Sequence, residues 1–286
     1  MMAISAALVN ELRKKTGAGM MDCKKALEES NGDFDKAIEY LRKKGAAVAA
    51  KRADKVANEG LIATKVSENN NYGVIVEVNC ETDFVAKSED FVNFVNHIVN
   101  KAVESKVFNV EELVEKNPDV TVLLNEVMGK VGEKTEIRRL AAFNVENGFV
   151  VDYLHTGSKL GVLVCFENVN SITPELTSLA KDISMQVAAM NPICVYREDV
   201  PKDLIEKEIE IYKEMARREG KPENILDKIA QGRLNKYYQE NCLIEQAFVR
   251  DNTKTIGDLI SDFNKNHNTQ IRISQFKRFQ LGEEKK

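Results

Sequence analysis

The stretch Tyr72–Lys87, YGVIVEVNCETDFVAK, decides how the chain is read. Val74, Val76 and Val78 alternate with Ile75, Glu77 and Asn79, the two-residue period of a strand with at least one packed face. That strand must stop abruptly, in the charged and aromatic tip Glu81-Thr82-Asp83-Phe84. A carboxylate beside a phenyl ring at the end of an element makes a compact wedge. The ring suits an apolar slot, and the charge competes for a polar or metal-linked site. On composition alone the same pair also reads as a turn carboxylate and a core phenyl. As a presented pair it resembles the aromatic anchors that dominate interfaces.

Outward from this stretch, the glycines repeat. Gly60-Leu61-Ile62 and Gly73-Val74-Ile75-Val76 stand at the same spacing as Gly148-Phe149-Val150 and Gly161-Val162-Leu163-Val164. Phe91 and Leu179 keep that register, as do Val99 and Val187. Each copy reads as a β-hairpin followed by a packed helix. Leu140-Ala141-Ala142-Phe143-Asn144-Val145 is the candidate third strand for the first copy, and Ile271–Phe279, IRISQFKRF, for the second. The fold class is therefore α+β, with two duplicated subdomains built on small antiparallel sheets. Their expected spans are residues 60–145 and residues 146–199 plus 241–282.

Residues 1–45 read as a helical N-terminal module. Ile4, Leu8 and Leu12 recur on one helix face, and Thr16-Gly17-Ala18-Gly19 breaks that helix. A second helix carries Met21 and Leu27 and stops near Asn31-Gly32. Asp33 caps a third, with Ala37, Ile38 and Leu41 inward and Gly45 at its end. Three short helices make a marginal core, which suits a docking module. The alanine-rich run Ala46–Ala57 predicts a further helix, so residues 46–59 read as a helical linker. Residues 200–240 read as an inserted antiparallel helical hairpin, coiled-coil-like but too short and polar to stand alone. Leu204, Glu208, Ile211 and Met215 trace one face, with Ile205, Ile209 and Tyr212 beside it. Gly220-Lys221-Pro222 turns the chain, and Ile225, Ile229 and Tyr237 continue on the return. Such a hairpin is expected to pack on a partner or on a second copy of the chain.

Composition narrows the function classes. With 286 residues, 43% of them hydrophobic, the chain supports two or three modest cores. It carries 41 basic and 45 acidic residues, net −4, so there is no basic footprint for direct nucleic-acid binding. The 5 cysteines are widely spaced with no CxxC pair, which predicts reduced, buried thiols rather than a disulfide framework or zinc site. No apolar run reaches the length of about 18 residues that a membrane span needs. The N-terminal MMAISAALVNELRKK lacks the order of a signal peptide, so a cytoplasmic location is expected.

Motifs for covalent chemistry are missing. The 3 histidines, His97, His155 and His267, lie in neither HExxH nor HxH. A triad converges only in space, and nothing in these spacings favours one. The sequence holds no GxSxG elbow, no phosphate-binding GxxxxGK[ST] and no GxGxxG. Met20 and Met21 are adjacent, so they cannot both face one core, and one of them is left for contact. His155, in a hairpin loop, reads first as a surface residue without a task.

At these residues the chain resembles the elongation factor Ts family, the guanine-nucleotide exchange factors of bacterial and organellar translation. The segments that carry the resemblance are TGAGMMDCKKAL at Thr16–Leu27, EVNCETDFVAKSEDF at Glu77–Phe91, KVGEKTEIRR at Lys130–Arg139, the histidine-glycine hairpin ending in GVLV, and AKDISMQVAAMNP at Ala180–Pro192. The resemblance implies a UBA-like fold for residues 1–45 and a two-lobed contact with the GTPase elongation factor Tu. Met20 and Met21 would lie in the module's contact. Thr82, Asp83 and Phe84 would belong to the element inserted near the partner's magnesium ion. Val131 and Gly132 would touch the same GTPase domain, and His155 a β-barrel domain of the GTPase. No cofactor of its own is implied: the factor acts on the GDP and magnesium of its partner, without covalent chemistry, and leaves when GTP arrives. Only four residues follow Phe279-Gln280-Leu281-Gly282, so the C-terminal helix of the longest family members is not expected. Two rivals use the same residues. One is a protein-binding scaffold acting through the N-terminal helices, which leaves nucleotide release unchanged. The other is a metabolic enzyme, which requires a concave polar pocket with convergent ionisable groups.

Overall fold

Two small antiparallel sheets pack face to face, and the residues between them explain the repeated glycines. The computed structural model describes residues 4–283. Strands β1 (Glu59–Val66), β2 (Tyr72–Cys80) and β3 (Thr135–Asn144) form the first sheet in that order. Strands β4 (Gly148–Leu154), β5 (Leu160–Glu167) and β8 (Arg272–Gln280) form the second. Both segments read as third strands pair where expected, Ile75 opposite Ala141 and Val164 opposite Phe276. Between the sheets lie Ile62, Ile75, Val150, Leu163, Cys165 and Phe279. A Cβ on Gly73 would stand 2.6 Å from Val150 Cγ1, and one on Gly161 would stand 2.7 Å from Ile62 Cγ2. Only glycine allows the sheets this close.

Every residue of β2 is buried. Its valines face the helical side, and Ile75 and Glu77 face the second sheet. Glu77 is fully buried, and the guanidinium groups of Arg139 at 2.6 Å and Arg138 at 3.7 Å supply its counter-charge. The outer face of the first sheet is covered by α5 (Glu89–Ser105), α6 (Val110–Lys116) and α7 (Asp119–Val131), with Phe91, Ile98, Leu113 and Val127 in its core. The outer face of the second is covered by α8 (Pro174–Met190) and α11 (Ile256–His267), through Leu176, Ile183, Val187 and Ile260. A two-stranded ribbon, β6 (Ala247–Phe248) with β7 (Asp251–Thr255), precedes α11.

Helices α1 (Ala6–Thr16), α2 (Met20–Glu29) and α3 (Phe34–Lys51) enclose Leu12, Cys23, Leu27 and Ala37. Ser5 caps α1 and Asp33 caps α3. The expected stop at Gly45 is corrected: α3 runs straight through it to Lys51, and no separate helix fills Ala46–Ala57. Gly45 is a crossing point. A Cβ there would sit 2.3 Å from Asn125 O on α7, and one on Gly129 would sit 3.1 Å from Gly45 Cα. The glycine serves helix contact rather than helix termination. Arg42 pairs with Glu126 at 3.0 Å across the same crossing.

The hairpin consists of α9 (Lys202–Arg218) and α10 (Leu226–Asn241). Leu204, Ile205, Ile209 and Tyr212 turn toward Leu234 and Tyr238, whereas Ile211 and Met215 are half exposed. Among the described residues no helix is long and apolar enough to cross a membrane.

Candidate functional site

Strand β2 ends at Cys80, and the chain then makes one turn of helix, α4 (Asp83–Ala86). Thr82 is its N-cap: the hydroxyl oxygen accepts from Val85 N–H at 3.3 Å. Val85 and Ala86 turn into the first core. With those two inward, Phe84 points the other way and is 83% exposed. The phenyl ring is therefore displayed, not packed.

The base of this tip is held from far along the chain. Glu133 accepts from Thr82 N–H at 3.0 Å and from Thr82 Oγ1 at 2.8 Å, across 51 residues of sequence. Glu81 accepts from Arg52 at 2.7 Å and from Lys134 N–H at 2.6 Å. These bonds tie the tip to the chain leaving α7 and to the end of α3. Asp83 pairs with Lys87 at 2.7 Å. The hydrogen bond from Lys87, then its charge, with help from Lys159, hold the Asp83 carboxyl below the usual range. Asp83 is thus an anion at neutral pH. Cys80, just below, has its thiol pushed up to about 12, first by burial, and is chemically quiet.

Val131 and Gly132 end α7 next to this latch. Val131 is partly buried against the first core. Gly132 takes the left-handed conformation, φ 72°, and its N–H donates to Met128 O, closing the helix. Glu133 follows directly, so the structure brings Val131 and Gly132 beside Thr82. Met20 and Met21 open α2 and are both exposed, Met21 the more at 73%; neither joins the module's core. The turn before α2 reaches the end of α7, where a Cβ on Gly17 would meet the Lys130 side chain at 2.9 Å. Lys44 of α3 pairs with Asp22 of α2.

His155 is exposed in the turn between β4 and β5. Its Nδ1 lies 2.8 Å from the Tyr153 hydroxyl. The turn is pinned to the first sheet: Ile62 N–H donates to Ser158 O at 2.7 Å, and Lys159 pairs with Glu59 at 3.0 Å. Lys159, next to the His155 turn, thus pairs with Glu59 and adds its charge to the field at Asp83. His267, by contrast, stacks on Phe263 at 4.2 Å within α11, and His97 lies on α5. Among the described residues no group of three or more His, Cys, Asp or Glu side chains is placed to hold a metal ion. Glu133, Arg52 and Lys159 escaped the sequence reading, and Glu81 was read only as part of the tip, without its partners. Their partners are distant in sequence, and only KVGEKTEIRR as a segment drew attention to Glu133.

A family model described as "Elongation factor TS" matches residues 81–283. Proteins named "Elongation factor Ts" match nearly end to end. That of Chlorobium phaeobacteroides (strain BS1) is 48% identical over 292 residues, covering 99% of this chain and 100% of the relative. That of Chlorobaculum parvum is 49% identical, covering 99% and 100%. That of Clostridium perfringens (strain SM101) is 47% identical, covering 98% of this chain and 93% of the relative.

Proposed function

This chain belongs to the elongation factor Ts family, and we propose on that footing that it is a guanine-nucleotide exchange factor of elongation factor Tu, acting in the cytoplasm during translation elongation. The observation that carries the reading is the displayed Phe84 ring on a turn held rigid by Glu133. The exchange step makes and breaks no covalent bond. It is a coupling between two sites on the partner: whatever factor by which the exchange factor weakens GDP binding, GDP weakens the exchange factor by the same. Each tenfold loss of GDP affinity requires about 1.4 kcal/mol. Fully burying a phenylalanine side chain supplies about 1.5–3 kcal/mol, and nearly all of the Phe84 ring remains available for burial.

In this account Phe84 enters an apolar slot of the GTPase, and Asp83, already an anion, competes where the magnesium ion bridges phosphate to protein. Thr82 sets the angle of the wedge through its cap. Val131 and Gly132 widen the contact with the same domain. Met20 and Met21 supply the N-terminal contact, and His155 holds the other lobe. Incoming GTP then expels the factor. Three finer assignments belong to the same proposal: a UBA-like identity for the N-terminal helices, descent of the two sheet units from one duplicated ancestor, and a secondary contact, with a second copy of the chain, through the half-exposed Ile211 and Met215 of the hairpin.

The test is the release of labelled GDP from purified elongation factor Tu, with and without this protein. Acceleration that saturates with concentration is expected. Tight binding with an unchanged release rate would instead make the chain a scaffold and overturn the exchange reading.

A further inference from the structure

A different chemistry lies at the root of the α9–α10 hairpin. Cys194 precedes α9 and Cys242 follows α10, so the two residues mark where the chain enters and leaves the hairpin. A short backbone bridge joins them. Ile193 N–H donates to Asn241 O at 2.9 Å, Leu243 N–H to Cys194 O at 2.9 Å and Ile244 N–H to Val195 O at 3.1 Å. Strands so paired lie about 4.8 Å apart, inside the window of about 4.4–6.8 Å between Cα atoms that a disulfide spans. The two sulfurs stand 3.5 Å apart, both as free thiols. Cys242 is buried and Cys194 is partly open to solvent. Cys23, Cys80 and Cys165 belong to three other core clusters.

We infer that Cys194 and Cys242 form a reversible disulfide that staples the root of the hairpin, with hydrogen peroxide as the oxidant. The Cys194 thiolate attacks one peroxide oxygen, the O–O bond breaks, and Cys194 becomes a sulfenic acid as the other oxygen leaves and is protonated to water. The Cys242 thiolate then attacks the Cys194 sulfur, the S–O bond breaks and a second water leaves. Two thiols are oxidised by two electrons and one peroxide is reduced to two waters. Burial holds both thiols above their ordinary range, and at Cys194 the carboxylates of Asp199, Glu245 and Glu198 add to it. The pair therefore oxidises slowly, unlike a fast sensor. The resulting covalent ring encloses α9, its turn and α10, restricting how far the hairpin opens. None of this rests on the exchange reading.

The test uses the full chain. After treatment with hydrogen peroxide, the protein is unfolded in iodoacetamide, digested and weighed. The expected product joins the Cys194 peptide to the Cys242 peptide, two hydrogens lighter, and is cleaved by dithiothreitol, with Cys23, Cys80 and Cys165 alkylated. Hydrogen exchange of the α9 and α10 amides is expected to slow about tenfold or more in the oxidised protein. Cys194→Ser, at a partly exposed position, is expected to keep the fold and lose the cross-link; Cys194→Ala serves the same purpose should the serine perturb packing. The inference is overturned by Cys242 alkylated in full after oxidation, by Cys194 found as sulfinic acid without a cross-link, or by a cross-link that leaves hairpin exchange unchanged.

Discussion

The two sheets are alike in strand order and unlike at their tips. In the first, β2 runs into the Thr82-capped turn that displays Phe84. In the second, β5 runs into an irregular stretch, and Thr173 caps α8 directly. Counted from the first glycine of each hairpin, Ile172 occupies the place of Phe84, and it is only 43% exposed. The flanks differ as well. Beside the first sheet, α7 crosses α3 at two glycines and delivers Glu133 to the tip. Beside the second sheet the corresponding interval holds the polar α9–α10 hairpin, and no structural counterpart of the Glu133 latch appears among the hydrogen bonds of the described residues at Ile172. One frame thus carries two ends, and what separates them is a long-range latch rather than the strands themselves.

The sharpest way to break the comparison is at its two tips. Phe84→Ala is expected to slow stimulated GDP release more than tenfold, about 1.4 kcal/mol or more, with an unchanged melting temperature because the ring is exposed. Ile172→Ala in the same stopped-flow assay is expected to behave as wild type. Next in size is the bracing. Gly45→Ala forces a methyl into Asn125 O and is expected to cost about 1–3 kcal/mol in urea unfolding. The same change at Gly232 on α10, where a Cβ meets nothing within 4 Å, is expected to stabilise by up to about 1 kcal/mol through helix propensity. Equal signs at the two glycines would sink the distinction drawn between the flanks.

Smaller effects sharpen it further. Thr82→Ala removes the α4 cap and one bond to Glu133, for an expected loss of about 1 kcal/mol in stability. Its GDP-release defect is expected to be milder than that of Phe84→Ala. His155→Ala is expected to weaken association by about fivefold, near the net worth of one hydrogen bond, without altering the release step; titration calorimetry separates the two. Least of all, Lys87→Met removes the main cause of the lowered Asp83 carboxyl. The pair's contribution is full above the ordinary carboxylate range and is lost as pH falls through the lowered folded value. In the variant that contribution is absent, and the Asp83 carboxyl is expected to protonate at higher pH, as read from an NMR titration of Asp83.

Much of this was legible locally. The glycine spacing located four strands, and alternation found β3 and β8, because period and turn chemistry are properties of short stretches. The misreading at Gly45 and the open choice on α9 share a cause. Gly45 looked like a helix stop, since an isolated glycine after an apolar stripe usually is one; the reason it is not lies on α7. On α9 two overlapping apolar stripes compete, and only Leu234 and Tyr238 opposite decide for Ile205, Ile209 and Tyr212. At the tip, residue types marked Asp83 and Phe84, but whether the ring turns in or out depends on Val85 and Ala86 taking the inward positions of a single turn. Glu133 could not be paired with Thr82 from the sequence, because no local periodicity spans that distance.

The glycine crossing of α3 and α7 has a consequence for any molecule that grips this surface. The methionines of α2 and the aromatic tip are separated by rigid helices, not by a tether, so their spacing is set like marks on a ruler. A partner that touches both ends need not freeze a swinging arm, and the second grip follows the first without the usual toll in chain disorder.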